Sequence, residues 1–250
     1  MPKAPPVFRR RFVLGTVAGS LIALGADFLG TTSAILSLNP EFFRGLRADV
    51  LYPIAGYKRC LEASKGFEFI FPQTWVGDQT LLYRAAQRGE RKRSLDLPSL
   101  RQQPQRQITN RKPKPTEPVV AFEPPGTLGE LNVSVVVAPV ADGFTLEKRG
   151  DPTEAGMLFL KTIAPEGSNK VAKLVEAASR QDDVLYYSME YRVRGPKFFR
   201  HNVDVLAVSD AGELYTLTAQ APESLWSSVE AQFRVITASF RLLPPSPASY

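Results

Sequence analysis

Alternating side chains in the second half of the chain constrain the fold more than any other feature of the sequence. In residues 185–193 and 200–209, aromatic and aliphatic residues recur among polar ones at the spacing of a β-strand. Residues 210–212, Asp-Ala-Gly, separate the second segment from a third, residues 213–219. Because Asp and Gly favour tight turns, the pattern predicts an antiparallel hairpin of long strands.

Shorter segments predict further strands. Residues 66–72 alternate aromatic and polar side chains and end at a turn, and residues 131–137 are rich in the β-branched residues that suit a pleated surface. Residues 239–243 are predicted to add an edge strand. Residues 170–180 fit a helix and a strand equally well.

Two helices are predicted to accompany these strands. Asp151 as N-cap, Pro152 in the first turn and Glu154 at the third position form a capping pattern, and Pro165 ends the helix. A second helix is predicted over residues 222–236, where apolar residues recur at helical spacing. An antiparallel sheet covered by helices defines the α+β class and predicts a layered sandwich.

The positive charge is concentrated in two segments. The chain has 31 basic and 25 acidic residues, a net charge of +6, but residues 1–34 hold four bases and one acid, and residues 84–114 hold ten bases and two acids. The remaining residues therefore carry a net charge of −5. A nucleic-acid-binding domain usually carries its charge on a folded face with interleaved aromatics, so the sequence argues against that class.

The larger basic segment overlaps a predicted loop rich in Arg, Gln and Pro, residues 87–118. It has almost no hydrophobic periodicity, and loops of this length in compact domains are commonly functional. We expect it to be exposed and to dock on acidic partner surfaces. The predicted contact residues are Arg91, Lys92, Arg93, Arg101, Arg106, Arg111, Lys112 and Lys114.

The N-terminus resembles an export signal. Arg9, Arg10 and Phe12 fit the twin-arginine pattern, and an uncharged, modestly apolar run continues to Ala26. Two outcomes are open for residues 1–34. The signal is cleaved near the small residues Thr-Ser-Ala that end this segment, or it is retained as an N-terminal anchor.

The sequence contains few residues suited to catalysis. It has one Cys and one His and lacks nucleophile-elbow, Walker A, Rossmann and His-Glu-x-x-His motifs. An enzyme would need a pocket that converges on His201, which is expected instead at the surface or in a hydrogen bond. Cys60 follows Lys58 and Arg59, two cations that could lower its pKa, but without a second cysteine a redox role is not expected.

A weak metal site is predicted at Asp182 and Asp183. Adjacent carboxylates in a turn are candidate ligands for calcium or manganese, and Asp204 is a candidate third ligand. The alternative is that these carboxylates only solvate a loop.

Several motifs resemble, in the same order, those of the PsbP family, the extrinsic oxygen-evolving-enhancer proteins and their relatives in the thylakoid lumen. The first is residues 66–75, GFEFIFPQTW, and the resemblance spans residues 57–243. The other matching segments are residues 131–139, 182–193, 200–220, 221–226 and 239–240.

The resemblance implies an α-β-α sandwich with a central antiparallel sheet flanked by helices. It implies a non-enzymatic protein of the chloroplast or cyanobacterial thylakoid lumen that binds a photosystem, with photosystem II favoured, and supports its assembly, stability or oxygen evolution. The alternatives are a calcium- or manganese-handling module and a photosystem I assembly factor. No tightly bound cofactor is expected, and calcium is a candidate ligand by resemblance. A retained N-terminus would add contact with the thylakoid membrane.

These inferences give a predicted organisation. It comprises a signal or anchor at residues 1–34, an extension at 35–60, a PsbP-like domain at 61–243 with the basic insertion 87–118, and a tail at 244–250.

Overall fold

A computed structural model of the chain describes residues 27, 30–78, 81, 117–127 and 129–244. The predicted twin-arginine residues and the predicted contact residues of the basic loop lie outside these ranges. No helix in the described ranges has the length and apolar content needed to span a bilayer.

β-strands are the main secondary structure of the described chain. The strands are β1 (Tyr57–Glu62), β2 (Phe67–Pro72), β3 (Val76–Gly77), β4 (Val120–Glu123), β5 (Asn132–Pro139), β6 (Val171–Gln181), β7 (Leu185–Gly195), β8 (Phe198–Val208), β9 (Glu213–Pro222) and β10 (Arg241–Leu242). The predicted hairpin is confirmed as β8 and β9, and the ambiguous segment near residue 175 is a strand. β1 begins inside the predicted extension.

The strands form two antiparallel sheets. A seven-stranded sheet has the order β3-β4-β5-β9-β8-β7-β6, and a three-stranded sheet has the order β1-β2-β10. The predicted edge strand after residue 239 is confirmed, but it pairs with β2 in the smaller sheet, at Glu68 and Phe67. The smaller sheet therefore joins the two ends of the domain.

Four helices lie in the described ranges: α1 (Thr31–Leu36), α2 (Pro40–Gly45), α3 (Pro152–Ile163) and α4 (Trp226–Ser239). The capping box predicted for α3 is confirmed. Asp151 accepts from the Glu154 backbone N–H at 2.8 Å, and the Glu154 side chain accepts from the Asp151 N–H. A 3₁₀ turn at Glu223–Leu225 precedes α4.

The seven-stranded sheet separates two apolar cores. On one face, α4 and β2 pack against the sheet around Phe67, Phe233 and Leu217. On the other face, α3 packs on β6 and β7 around Leu160 and Met189. This arrangement confirms the predicted α+β sandwich. Because neighbouring residues of a strand point to opposite faces, alternate residues of β7 and β8 enter different cores.

Candidate functional site

The chain's one histidine lies at the centre of a buried polar cluster. His201 is 0% exposed, and each ring nitrogen meets a carboxylate: Nε2 lies 2.8 Å from Glu190 Oε1 and Nδ1 lies 3.0 Å from Glu223 Oε2. β8 supplies the histidine, β7 supplies Glu190, and the turn before α4 supplies Glu223.

Further side chains complete this cluster. The His201 ring stacks on Trp226 with 3.6 Å between centroids and an angle of 5° between the planes. Arg234 of α4 hydrogen-bonds Glu190, and Arg192 of β7 lies 3.3 Å from Glu223. We call these six residues the histidine cluster. It ties β7, β8 and the start of α4 together, and its two arginines pair with its two glutamates.

The histidine cluster borders a cavity of about 380 Å³ between α4 and strands β6 and β7. Glu190 and Arg234 line the cavity, together with Glu176 and Arg180. His201 itself is covered by the stacked Trp226 ring and bonded at both nitrogens. Of the two alternatives expected for His201, a surface position or a hydrogen-bonding role, the second is confirmed. A general base must reach the proton that it abstracts, and this ring is closed to a substrate.

A second buried acid lies on the opposite face of the same sheet. Asp204 of β8 is almost fully buried, and its Oδ2 accepts a hydrogen bond of 3.0 Å from the Tyr191 hydroxyl. Burial raises the pKa of Asp204 to about 7. Burial, followed by the charge of Asp204, also raises the pKa of Tyr191. This pair is a structural element under α3.

The three aspartates predicted as metal ligands do not come together. Asp182 lies in the turn after β6 and pairs with Arg180 at 2.9 Å, and Asp183 is exposed in the same turn. Asp204 lies opposite Met189, six positions along the chain from Asp183 and about 20 Å away at strand rise. No group of three or more candidate ligands occurs in the part of the chain that the structure describes.

The environment of the single cysteine differs from the sequence expectation. Burial raises the pKa of Cys60 to about 12, and the charge of Glu62 acts in the same direction. The neighbouring cation Arg59 pairs instead with Asp49 and Glu68, both at 2.8 Å. The prediction of a lowered thiol pKa is therefore wrong.

The PsbP family model matches residues 55–242 of the chain. The chain is a member of that family. PsbP domain-containing protein 7, chloroplastic, of Arabidopsis thaliana is 48% identical over 241 residues, which cover 94% of this chain and 83% of that protein. CyanoP of Thermosynechococcus vestitus is 44% identical over 116 residues, 44% of this chain and 63% of that protein.

A solved structure supports the same assignment. The solution structure of cyanobacterial PsbP (CyanoP) from Synechocystis sp. PCC 6803 matches with a TM-score of 0.51 and 25% identity, covering 76% of this chain and 94% of that one. The chain is therefore a photosynthesis-related protein with a PsbP-type α+β fold.

Sequence reasoning missed the histidine cluster, although the signal was present. Gly195 and Phe198 pair across a two-residue turn, which places His201 opposite Arg192 and diagonally next to Glu190. Diagonal neighbours on one face of a hairpin are close enough for long side chains to interact. Extending the strand patterns to this turn would have predicted the contact.

Proposed function

We propose that this protein is a non-catalytic factor of the thylakoid lumen that docks on a photosystem, with photosystem II favoured, and supports its assembly, stability or oxygen evolution. Membership of the PsbP family, the chloroplast location in the Arabidopsis relative's name and the twin-arginine pattern support this proposal. Photosystem II is favoured because the family includes the oxygen-evolving-enhancer proteins.

The burial of the His201 ring is the observation that supports a non-catalytic role. The chain's one imidazole is bonded to two carboxylates and covered by an indole ring. A protein without an accessible imidazole is more suited to binding than to acid–base catalysis at neutral pH.

The basic segment is the proposed docking element. It has ten bases between residues 84 and 114, whereas the chain outside the two basic segments has a net charge of −5. Exposed ion pairs contribute about 0–1 kcal/mol each and are screened by salt, so several contacts must act together. Docking should therefore weaken steeply as ionic strength rises.

A salt wash of isolated thylakoids tests docking. We expect about 1 M salt, where the Debye length falls to ~3 Å, to release the protein from the photosystem. The variant Arg91→Gln/Lys92→Gln/Arg93→Gln should co-purify with the photosystem less than the wild type. A matched control neutralises three exposed lysines on α3 and near β6, Lys161, Lys170 and Lys173. Equal co-purification of both variants and the wild type would contradict docking through this segment.

A further inference from the structure

Exposed apolar side chains are concentrated in the segment that precedes the sandwich. Ile35, Leu38, Phe42, Leu46, Val50 and Leu51 are all exposed, and we call them the extension patch. Leu38, Leu51 and Leu46 are 83%, 73% and 65% exposed. Single exposed apolar residues need no explanation, but six within 17 positions make this segment a candidate interaction surface.

The segment that carries the extension patch is folded back on itself. Phe42 and Leu46 are joined by a backbone hydrogen bond of one helical turn, so their side chains lie on one side of α2. The Ser37 hydroxyl accepts from the Ala55 N–H at 2.9 Å, which ties the end of α1 to the start of the sandwich. The patch is therefore part of an ordered structure.

A buried ion network fixes this segment to the sandwich. Asp49 is 0% exposed and is held by the Arg59 guanidinium through two bonds, of 2.8 and 3.0 Å. Arg59 also pairs with Glu68 of β2, and Arg47 pairs with the same carboxylate at 3.2 Å. Arg44 donates to the Ile54 carbonyl. Arg44 and Arg47 of the segment thus contact the sandwich, while the apolar side chains of the extension patch are exposed.

The chain before the patch favours a lipid surface as its partner. The uncharged apolar run that begins at Phe12 ends at Ala26. The next residue, Asp27, is held beside α1 because its carboxylate accepts from the Ser33 N–H at 2.9 Å and from the Ser33 hydroxyl at 2.5 Å. A membrane-inserted run would therefore bring the patch directly to the bilayer surface.

We propose that the extension patch inserts its apolar side chains into the interface of the membrane and so sets the orientation of the sandwich on the bilayer. Apolar side chains buried at the headgroup boundary bind in proportion to their buried area. The proposal stands whether or not a photosystem is the partner.

Site-directed fluorescence on the full chain in phosphatidylcholine–phosphatidylglycerol vesicles tests the proposal. In a Cys60→Ser background, a polarity-sensitive dye is attached at Leu38→Cys, Leu46→Cys or Leu51→Cys. The control position is Val171→Cys on β6, which is 69% exposed and far along the chain from the patch. We expect a blue shift and quenching by lipid-borne quenchers at the three patch positions, and quenching only by aqueous iodide at position 171.

Two further measurements make the outcome decisive. Adding 1 M salt should leave the lipid quenching unchanged, because apolar insertion is not screened, whereas attraction between the basic segment and the anionic phosphatidylglycerol should be lost. Changing the neighbours by Leu46→Glu/Leu51→Glu should abolish the blue shift at position 38, with circular dichroism checking the fold. Patch positions that iodide reaches as readily as position 171 would overturn the proposal.

Discussion

Two buried carboxylates on neighbouring strands of one sheet have opposite surroundings. Glu190 on β7 faces α4 and contacts His201 and Arg234, so its charge meets cationic or donor groups from two elements. Asp204 on β8 faces α3 and accepts from the Tyr191 hydroxyl, a neutral donor. Burial raises the pKa of Asp204 to about 7. The two sites thus show burial of an acid with and without compensating charge.

The different surroundings of Glu190 and Asp204 predict how the two faces of the sheet respond to mutation and to pH. A charge that is buried with its partners is costly to disturb, because removing one partner leaves the other uncompensated. A buried acid without a basic partner is more stable protonated, so it makes folding depend on pH. The α4 face should therefore respond most to the loss of a partner, and the α3 face should respond most to pH.

The largest expected effect is at the histidine cluster. His201→Ala should lower the free energy of unfolding at pH 7 by about 3–5 kcal/mol, because it opens a cavity at a fully buried site and removes a hydrogen-bonding partner from two carboxylates. It also removes the ring that stacks on Trp226. Urea denaturation followed by tryptophan fluorescence measures the loss.

A second variant separates charge from packing in that experiment. His201→Ala combined with Glu190→Gln should recover part of the stability, because one of the two buried carboxylates that lost a hydrogen bond is then replaced by a neutral group. If the double variant is as unstable as the sum of the single changes, lost packing explains the effect and the charge argument fails.

The next effect is on the α3 face. The folded-state pKa of Asp204, about 7, lies above the ordinary aspartate pKa of 3.8. Between these pH values the folded state binds more protons than the unfolded state, so stability falls as pH rises. Asp204→Asn should remove this dependence. It should raise the free energy of unfolding at pH 8 by about 2–4 kcal/mol and change it little below pH 4.

Denaturation curves from pH 4 to pH 8 check this prediction. Asp182→Asn is the matched control, because Asp182 is exposed and pairs with Arg180 on the surface. The control should keep the wild-type slope of stability against pH. A wild-type stability that is flat over this range would show that Asp204 is ionised in the fold without cost.

Local patterns predicted much of this fold, and long-range register explains what they missed. The hairpin of β8 and β9 and the capping box at Asp151 follow from residues close in sequence. The pairing of β10 with β2 joins residues about 170 positions apart, and no local pattern specifies such a partner. The histidine cluster depends on the register of β7 and β8 and on the entry into α4, so single-strand patterns did not reveal it.

A smaller effect is expected when the donor to Asp204 is removed. Tyr191→Phe should cost about 1–2 kcal/mol at pH 8, where the carboxylate is ionised, and roughly half as much at pH 5, because hydrogen bonds to charged groups are stronger than neutral ones. Thermal unfolding at both pH values measures the change. A larger loss at pH 5 than at pH 8 would contradict a neutral Asp204 at the lower pH.

The smallest effect tests whether burial sets the strength of the contacts to one carboxylate. Glu223 faces the fully buried His201 at 3.0 Å and the Arg192 guanidinium at 3.3 Å, whose side chain is 43% exposed. Arg192→Gln should cost only about 0–1 kcal/mol, because solvent screens an exposed pair, and 1 M salt should remove most of that cost. A loss as large as that of His201→Ala would contradict this expectation. It would mean that the cluster acts as one cooperative unit, in which the exposure of a contact does not determine how much it stabilises the fold.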